Sequence, residues 1–224
     1  MAVPKVVCGV DFQREELSNR TDSCFSEKPS SRRLNALKRL VDPYRVVFPT
    51  PAALITSIDT DGKPNVATAG EVFMMSLHPL IVAAGFRPAT HTNKLIHATR
   101  EFVVNLPDQD ILKAVDYCGS VSGREVDKFK ATGLTPLPAK HVKPPLINEC
   151  PVNIECKVRD ITRLGSHDVF AGDVLAIHMD EEIIGDDGRA DLKKFKAFAF
   201  ASRKYYAVSH FLERMGFSKK DKKH

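Results

Sequence analysis

Residues 50–106 read TPAALITSIDTDGKPNVATAGEVFMMSLHPLIVAAGFRPATHTNKLIHATREFVVNL, and the fold turns on how that stretch is parsed. Residues 52–58 are apolar and strand-like. Asp59-Thr60-Asp61-Gly62-Lys63 is a hairpin turn, because Asp-Gly supplies the positive φ that such turns need. Residues 65–69 return as a second strand. Residues 70–79 read as a loop with a bulky apolar set, Val72, Phe73, Met74 and Met75, before Ser76-Leu77-His78-Pro79. Residues 80–86 carry no charge, which predicts a third strand buried on both faces. Residues 87–92 break the pattern. A helix follows, N-capped by Thr90 or Thr92, with Leu95 and Ile96 inward and Asn93, Lys94 and Arg100 outward. Residues 102–106 form another strand.

Outward from this stretch, Val6 to Val10 could add a strand, and Gln13 to Ser31 reads as a polar arm. Leu34, Leu37, Leu40 and Val41 line one side of a short helix, capped by Ser30 or Ser31 and stopped by Pro43. On the other side, Asp108 caps a helix running to Cys118, with Ile111, Leu112 and Val115 inward and Gly119 at its end. Val126 to Phe129 is a single helical turn at most. Residues 132–145 hold Pro136, Pro138, Pro144 and Pro145 and wrap the surface in extended form. Residues 152–161 and 170–179 are two strands joined through Arg163 to Asp168. A strand over 195–200 and an amphipathic helix on Val208, Phe211, Leu212 and Met215 close the chain. Many short strands without strand–helix alternation predict a mainly β fold, a small antiparallel barrel with helical additions. The expected division is an arm and short helix over 1–42, one domain over 43–217 and a basic tail over 218–224.

The 224 residues are 43% hydrophobic and 27% charged, an ordinary globular balance that suits one domain better than two. The formal charge of +5 is concentrated in Lys219, Lys220, Lys222 and Lys223, so the body lacks the basic stripe of a nucleic-acid binder. No secretory signal is legible, and the longest uncharged apolar run, residues 80–86, is too short to span a bilayer. The expectation is a soluble cytoplasmic protein without nucleic-acid or membrane partners. Cys8, Cys24, Cys118, Cys150 and Cys156 have no CxxC spacing, so neither a disulfide framework nor a metal site is signalled, and buried thiols are expected. GxGxxG after a strand, GxxxxGK[ST], HExxH and GxSxG are all missing, which removes most of the case for Rossmann, P-loop, zinc-protease and hydrolase-elbow chemistry.

Residues 87–94 allow two readings. One is a plain capped helix with Arg87 at a strand end. The other is a phosphate seat: a helix N-terminus offers free N–H groups and partial positive charge, Thr hydroxyls can donate, and Arg87 can pair bidentately with an anion. His167, at the mouth of the 152–179 hairpin, is either a solvent-facing turn histidine or a donor that titrates near neutrality.

The run 51–57 (PAALITS), Asp61-Gly62-Lys63-Pro64-Asn65, Thr68-Ala69, Ser76-Leu77-His78-Pro79, Thr92 and 102–105 (FVVN) resembles the flavin reductase-like FMN-binding family. Residues 116–129 (DYCGSVSGREVDKF), 164–167 (LGSH) and Tyr205-Tyr206 are similar to its flavoredoxin branch. The resemblance covers roughly Tyr44 to Phe217. It implies a split antiparallel barrel that forms a homodimer, with FMN at or near the subunit interface. It also implies that Asn65, Thr68, Ala69 and Gly70 line the flavin ring and ribityl chain, with Ser76 in the adjoining loop. Arg87, Thr90, His91 and Thr92 match the phosphate-binding segment, and Ser122, Gly123 and Lys128 a loop reaching the cofactor. His167 matches a histidine near the flavin face where a donor such as NAD(P)H would stack. Glu71 stands where family members often carry Ser or Trp, and a carboxylate there would oppose electron gain through like-charge repulsion. Three functions are then open. One is an FMN-dependent oxidoreductase passing electrons from NAD(P)H to flavin, a ferric chelate or another small acceptor. The others are an electron-transfer flavoprotein serving a redox-protein partner, and a flavinless binding module.

Overall fold

The computed structural model describes residues 38–218. The expectations for residues 1–37, including the helix residues Leu34 and Leu37 and both Cys8 and Cys24, lie outside the described residues, as does the tail 219–224. Tyr44–His210 forms one compact unit. Apart from it, residues 38–43 and 211–218 carry no helix or strand and their side chains are exposed.

The Asp-Gly turn forms as expected. Asp59 Oδ1 accepts from the amides of Asp61 (3.0 Å) and Lys63 (2.8 Å), and Gly62 takes φ +87°. It joins β1 (Ala53–Ile58) to β2 (Pro64–Ala69), antiparallel with Ala53 opposite Ala69. The stretch read as a loop is instead a strand, β3 (Val72–Leu77), hairpin-paired to β4 (Leu80–Phe86). Its side chains run exposed and apolar from Phe73 to Met75, so it lacks the inside–outside alternation by which a half-buried strand is recognised. Then come α1 (His91–Thr99), β5 (Glu101–Leu106), α2 (Leu112–Ser120), α3 (Lys128–Thr132), the short pair β6 (Pro136–Leu137) and β7 (Leu146–Ile147), the long hairpin β8 (Val152–Leu164) and β9 (His167–Met179), and a last hairpin β10 (Phe198–Ala201) and β11 (Lys204–Ala207).

Seven strands make one antiparallel sheet in the order β2-β1-β5-β8-β9-β4-β3. Register shifts at Glu155/Cys156 and Val158/Asp160 bend the long hairpin, as bulges do, and the sheet curls around one core. Ile55, Val82, Ala84, Phe102, Val104, Ile154 and Phe170 fill it. Gly172 is required here, because a Cβ would lie 2.7 Å from Phe102 Cζ. The other face of β1 and β2, at Leu54 and Val66, packs under Val115, Cys118 and Phe129 of α2 and α3. The mainly β split-barrel expectation therefore holds.

Several local expectations fail for identifiable reasons. Asn93, expected outward, is only 3% exposed because its amide has distant polar partners. Ile111 lies in a 3-10 turn ahead of α2 and is, like Leu112, half-buried; Val115 and Cys118 carry the buried face. The turn expected at 126–129 begins at Lys128. The strand expected over 195–200 covers 198–201, with Phe195 buried ahead of it. Val208, Phe211, Leu212 and Met215 form no helix and are exposed, as are Leu40 and Val41; a short apolar stripe left exposed among the described residues gives little helical stability.

Candidate functional site

A cleft of about 750 Å³ opens between β2, the first turn of α1, the loop 121–123 and the start of β9. Thr90 is the N-cap of α1. Its hydroxyl donates to the Arg87 carbonyl (2.8 Å) and accepts from the Asn93 amide (3.3 Å), so it shapes the turn. The amides of His91 and Thr92 have no hydrogen-bond partner among the described residues, as expected of first-turn N–H groups. Thr92 Oγ1 accepts from Asn65 Nδ2 (3.0 Å) and keeps its own hydrogen free to donate. Asn93 anchors the turn from beneath, donating to the Phe86 carbonyl (3.3 Å) and to Asp168 Oδ2 (2.8 Å). Asp168 also meets Arg163 Nη1 (3.1 Å) and His97 Nε2 (3.2 Å). The Asn93 hydrogen bond above all, then those from His97 and Arg163, hold its carboxyl below the usual carboxylate range. The helix start and His167, the residue before Asp168, are thus tied to one frame.

Charge in the cleft is positive and under-compensated. Arg87 is exposed and makes no ion pair among the described residues. Lys128 is 5% exposed, yet its ammonium donates only to the Cys118 carbonyl (2.7 Å), with no carboxylate partner. Burial lowers its pKa. His91 is also shifted down, first by burial and then by the Arg124 charge, which favours a neutral ring. The cleft's one carboxylate, Glu71, is held by Arg45 Nη2 at 2.9 Å, so the repulsion expected from it is offset. Cys118 is buried in the lining and burial pushes its thiol up to about 11, which keeps it un-ionised near neutrality. Cys150 and Cys156 are buried free thiols too. No cluster of His, Cys, Asp and Glu suited to a metal occurs among the described residues.

Of the residues singled out from sequence, Thr68 and Ala69 on β2, Arg87, the Thr90–Thr92 turn, Ser122, Gly123, Lys128 and His167 all line this cleft. Asn65 does not. It lies in an adjoining recess of about 290 Å³ that shares His91 and Gly123 with the cleft. Gly123 passes so close that a Cβ would stand 1.9 Å from Asn65 Oδ1. Gly70 is not itself part of the lining, although a Cβ there would stand 2.7 Å from Nη2 of Arg45, which is. Ser76 lies near the far end of the β3–β4 hairpin, opposite Ile81, and is not brought to the cleft. Sequence reasoning missed Arg45, which precedes every recognisable motif, and the Cys118–Gly119 wall, although both residues stand within the stretch 116–129 that carried the flavoredoxin resemblance.

A model of the flavin reductase-like domain matches residues 44–209. The chain belongs to the flavin reductase-like domain family. Its likeness runs to the flavoredoxin branch. A flavoredoxin of Desulfovibrio vulgaris (Miyazaki F) is 33% identical with a TM-score of 0.76, over 81% of this chain and 98% of that one. A flavoredoxin from Methanosarcina acetivorans is 26% identical with a TM-score of 0.74, over 82% of this chain and 98% of that one. An NADH:riboflavin 5′-phosphate oxidoreductase of Streptomyces pristinaespiralis is 26% identical over 128 residues, 55% of this chain and 67% of that protein. Among the described residues, no helix is long and apolar enough to cross a membrane.

Proposed function

We propose that this member of the family is an FMN-binding oxidoreductase that takes electrons from NAD(P)H and passes them to a flavin, a ferric chelate or another small acceptor in the cytoplasm. The observation that carries the reading is the buried ammonium of Lys128, without a counter-ion, in a cleft that also holds two open helix amides and the unpaired Arg87. Such an arrangement fits a phosphomonoester. The fit extends to the rest of FMN: a volume of about 750 Å³ lies within the range of cofactor sites. Arg87, the His91 and Thr92 amides, the Thr92 hydroxyl and Lys128 would hold the phosphate. Ala67 to Ala69 would back the ring system, and Gly123 lets the loop approach closely.

When bound, FMN supplies the two-electron chemistry, and the protein's part is to hold, shield and tune it. His167 lines the same cleft, with Nδ1 hydrogen-bonded to Ser166 Oγ at 2.8 Å, so Nε2 is the nitrogen left to meet a donor. The Glu71–Arg45 pair keeps a lone carboxylate from facing the ligand. A homodimer is part of the reading, supported by the apolar surface that the edge strand β3 leaves exposed at Phe73, Met74, Met75 and Leu77.

The test is an absorbance spectrum of the purified protein after FMN addition, followed by NADH or NADPH under anaerobic conditions. Bleaching of the flavin band by a pyridine nucleotide supports the oxidoreductase. A yellow protein that neither nucleotide bleaches favours a second reading, to which the 33% identity with a flavoredoxin lends support: an electron carrier serving a redox-protein partner. A protein that stays colourless with excess FMN ends both.

A further inference from the structure

A second recess, about 480 Å³ in volume, adjoins the cleft and shares Arg45 with it. Its walls are Tyr44, Val47, Phe48 and Phe200, together with Arg203. Phe200 is fixed from behind: its amide and carbonyl pair with Thr50 at 2.8 and 3.0 Å, and its ring packs on Tyr205 with centroids 5.4 Å apart. Arg45 Cζ lies 5.8 Å from the centroid of the Phe200 ring while its Nη2 holds Glu71. That orders one guanidinium between the two spaces.

The other guanidinium has no such partner. Arg203 makes no ion pair and no side-chain hydrogen bond among the described residues. It sits at the tip of the β10–β11 hairpin, where Ser202 and Arg203 take φ +49° and +63°. Two-residue turns of this kind favour Asn and Gly, and a larger side chain in the left-handed region is strained. The hairpin tolerates that strain with an arginine at the mouth of an aromatic recess.

Aromatic and aliphatic walls bind the faces of a flat ring, and a free guanidinium binds a carboxylate through two parallel hydrogen bonds. A neutral aromatic would leave Arg203 unused, and an aliphatic acid would leave the ring faces unused. We propose that this recess binds a planar aromatic carboxylate, presented to the cleft across Arg45. Its role as the second substrate of the cleft rests on the flavin reading above; the binding itself does not.

The experiment titrates 2-naphthoate and its neutral isostere 2-naphthalenemethanol into the full-length protein and follows naphthyl fluorescence anisotropy. The wild type is compared with Arg203→Asn, chosen because Asn accepts left-handed backbone, and with Arg203→Lys, which keeps the charge. Thermal melting and flavin absorbance are recorded on the same samples. The expected result is that naphthoate binds at least about tenfold more tightly than the alcohol, as one charge-assisted bidentate contact allows. Arg203→Asn removes that preference, Arg203→Lys restores part of it, and flavin content is unchanged. Equal affinity for acid and alcohol, or a preference that survives Arg203→Asn in folded protein, overturns the proposal. Naphthoate binding by a protein that takes up no FMN leaves this site standing while retiring the flavin reading.

Discussion

Glu155 and Lys128 are both buried charges, and the chain treats them in opposite ways. Glu155 has no exposed surface. It accepts hydrogen bonds from the amides of Lys140, His141 and Val142 and meets His178 Nε2 at 2.6 Å. Every lone-pair direction is used, and the proline-rich segment over 132–145 is pinned to the barrel wall by this carboxylate and by the Thr56 hydroxyl bonded to the Pro145 carbonyl. Lys128, with three donors, is given one carbonyl. A fold that satisfies one ion so fully does not leave the other short for want of available groups. Glu155 is a structural anchor; on the reading proposed above, Lys128 is the charge kept for the incoming phosphate.

Variants can break that contrast, the largest effect first. Glu155→Ala leaves three amides and a histidine without their acceptor, and should cost about 3–5 kcal/mol in denaturant unfolding; a loss under about 1 kcal/mol would mean that the segment is held by its apolar contacts alone. The double variant Arg87→Ala, Thr92→Ala should weaken FMN retention by about 1.5–3 kcal/mol for each charge-assisted bond lost, measured by equilibrium dialysis; unchanged occupancy would remove the phosphate seat. Lys128→Met separates the two buried ions most sharply. It should weaken FMN binding by about 1.5–3 kcal/mol and yet raise the stability of flavin-free protein by about 1 kcal/mol, because a desolvated ammonium is replaced by an apolar chain. A drop in stability comparable to that of Glu155→Ala would make Lys128 a structural anchor too.

Acid unfolding gives the smallest and most specific difference. Burial of Glu155 opposes ionisation, but the His178 and amide hydrogen bonds prevail and its pKa lies below the ordinary value of 4.5. A carboxyl lowered on folding adds stability that is complete above the unfolded pKa and fades as the pH falls through the folded one. The wild type should therefore lose stability below that ordinary value of 4.5, and Glu155→Gln should flatten that limb of the stability–pH curve.

What the sequence made legible follows the range of the interactions involved. The Asp59–Lys63 turn and the Thr90 cap rest on contacts within four residues, and residue type alone announces them, while the turn sets the register of the two strands it joins. Strand β3 was hidden because its outward residues are as apolar as its inward ones. Asn93 was misplaced because its partner Asp168 is 75 positions away, and nothing near residue 93 advertises a buried carboxylate. The resemblance gathered most of the candidate site, but it could not separate Ser76 and Gly70, which are not part of the lining, from the residues that are. Nor could it find Arg45, whose place is set by Glu71 and Phe200.

The adjacent thioethers of Met74 and Met75, 50% and 62% exposed on an edge strand, give β3 a chemical clock. Peroxide converts open methionines to sulfoxides, adding about 16 mass units at each. If two copies meet through this strand, dilution should accelerate the labelling of 74 and 75 while the half-buried Met179 stays slow. Peptide masses from such a time course would report whether that side of the barrel ever faces water in the working protein.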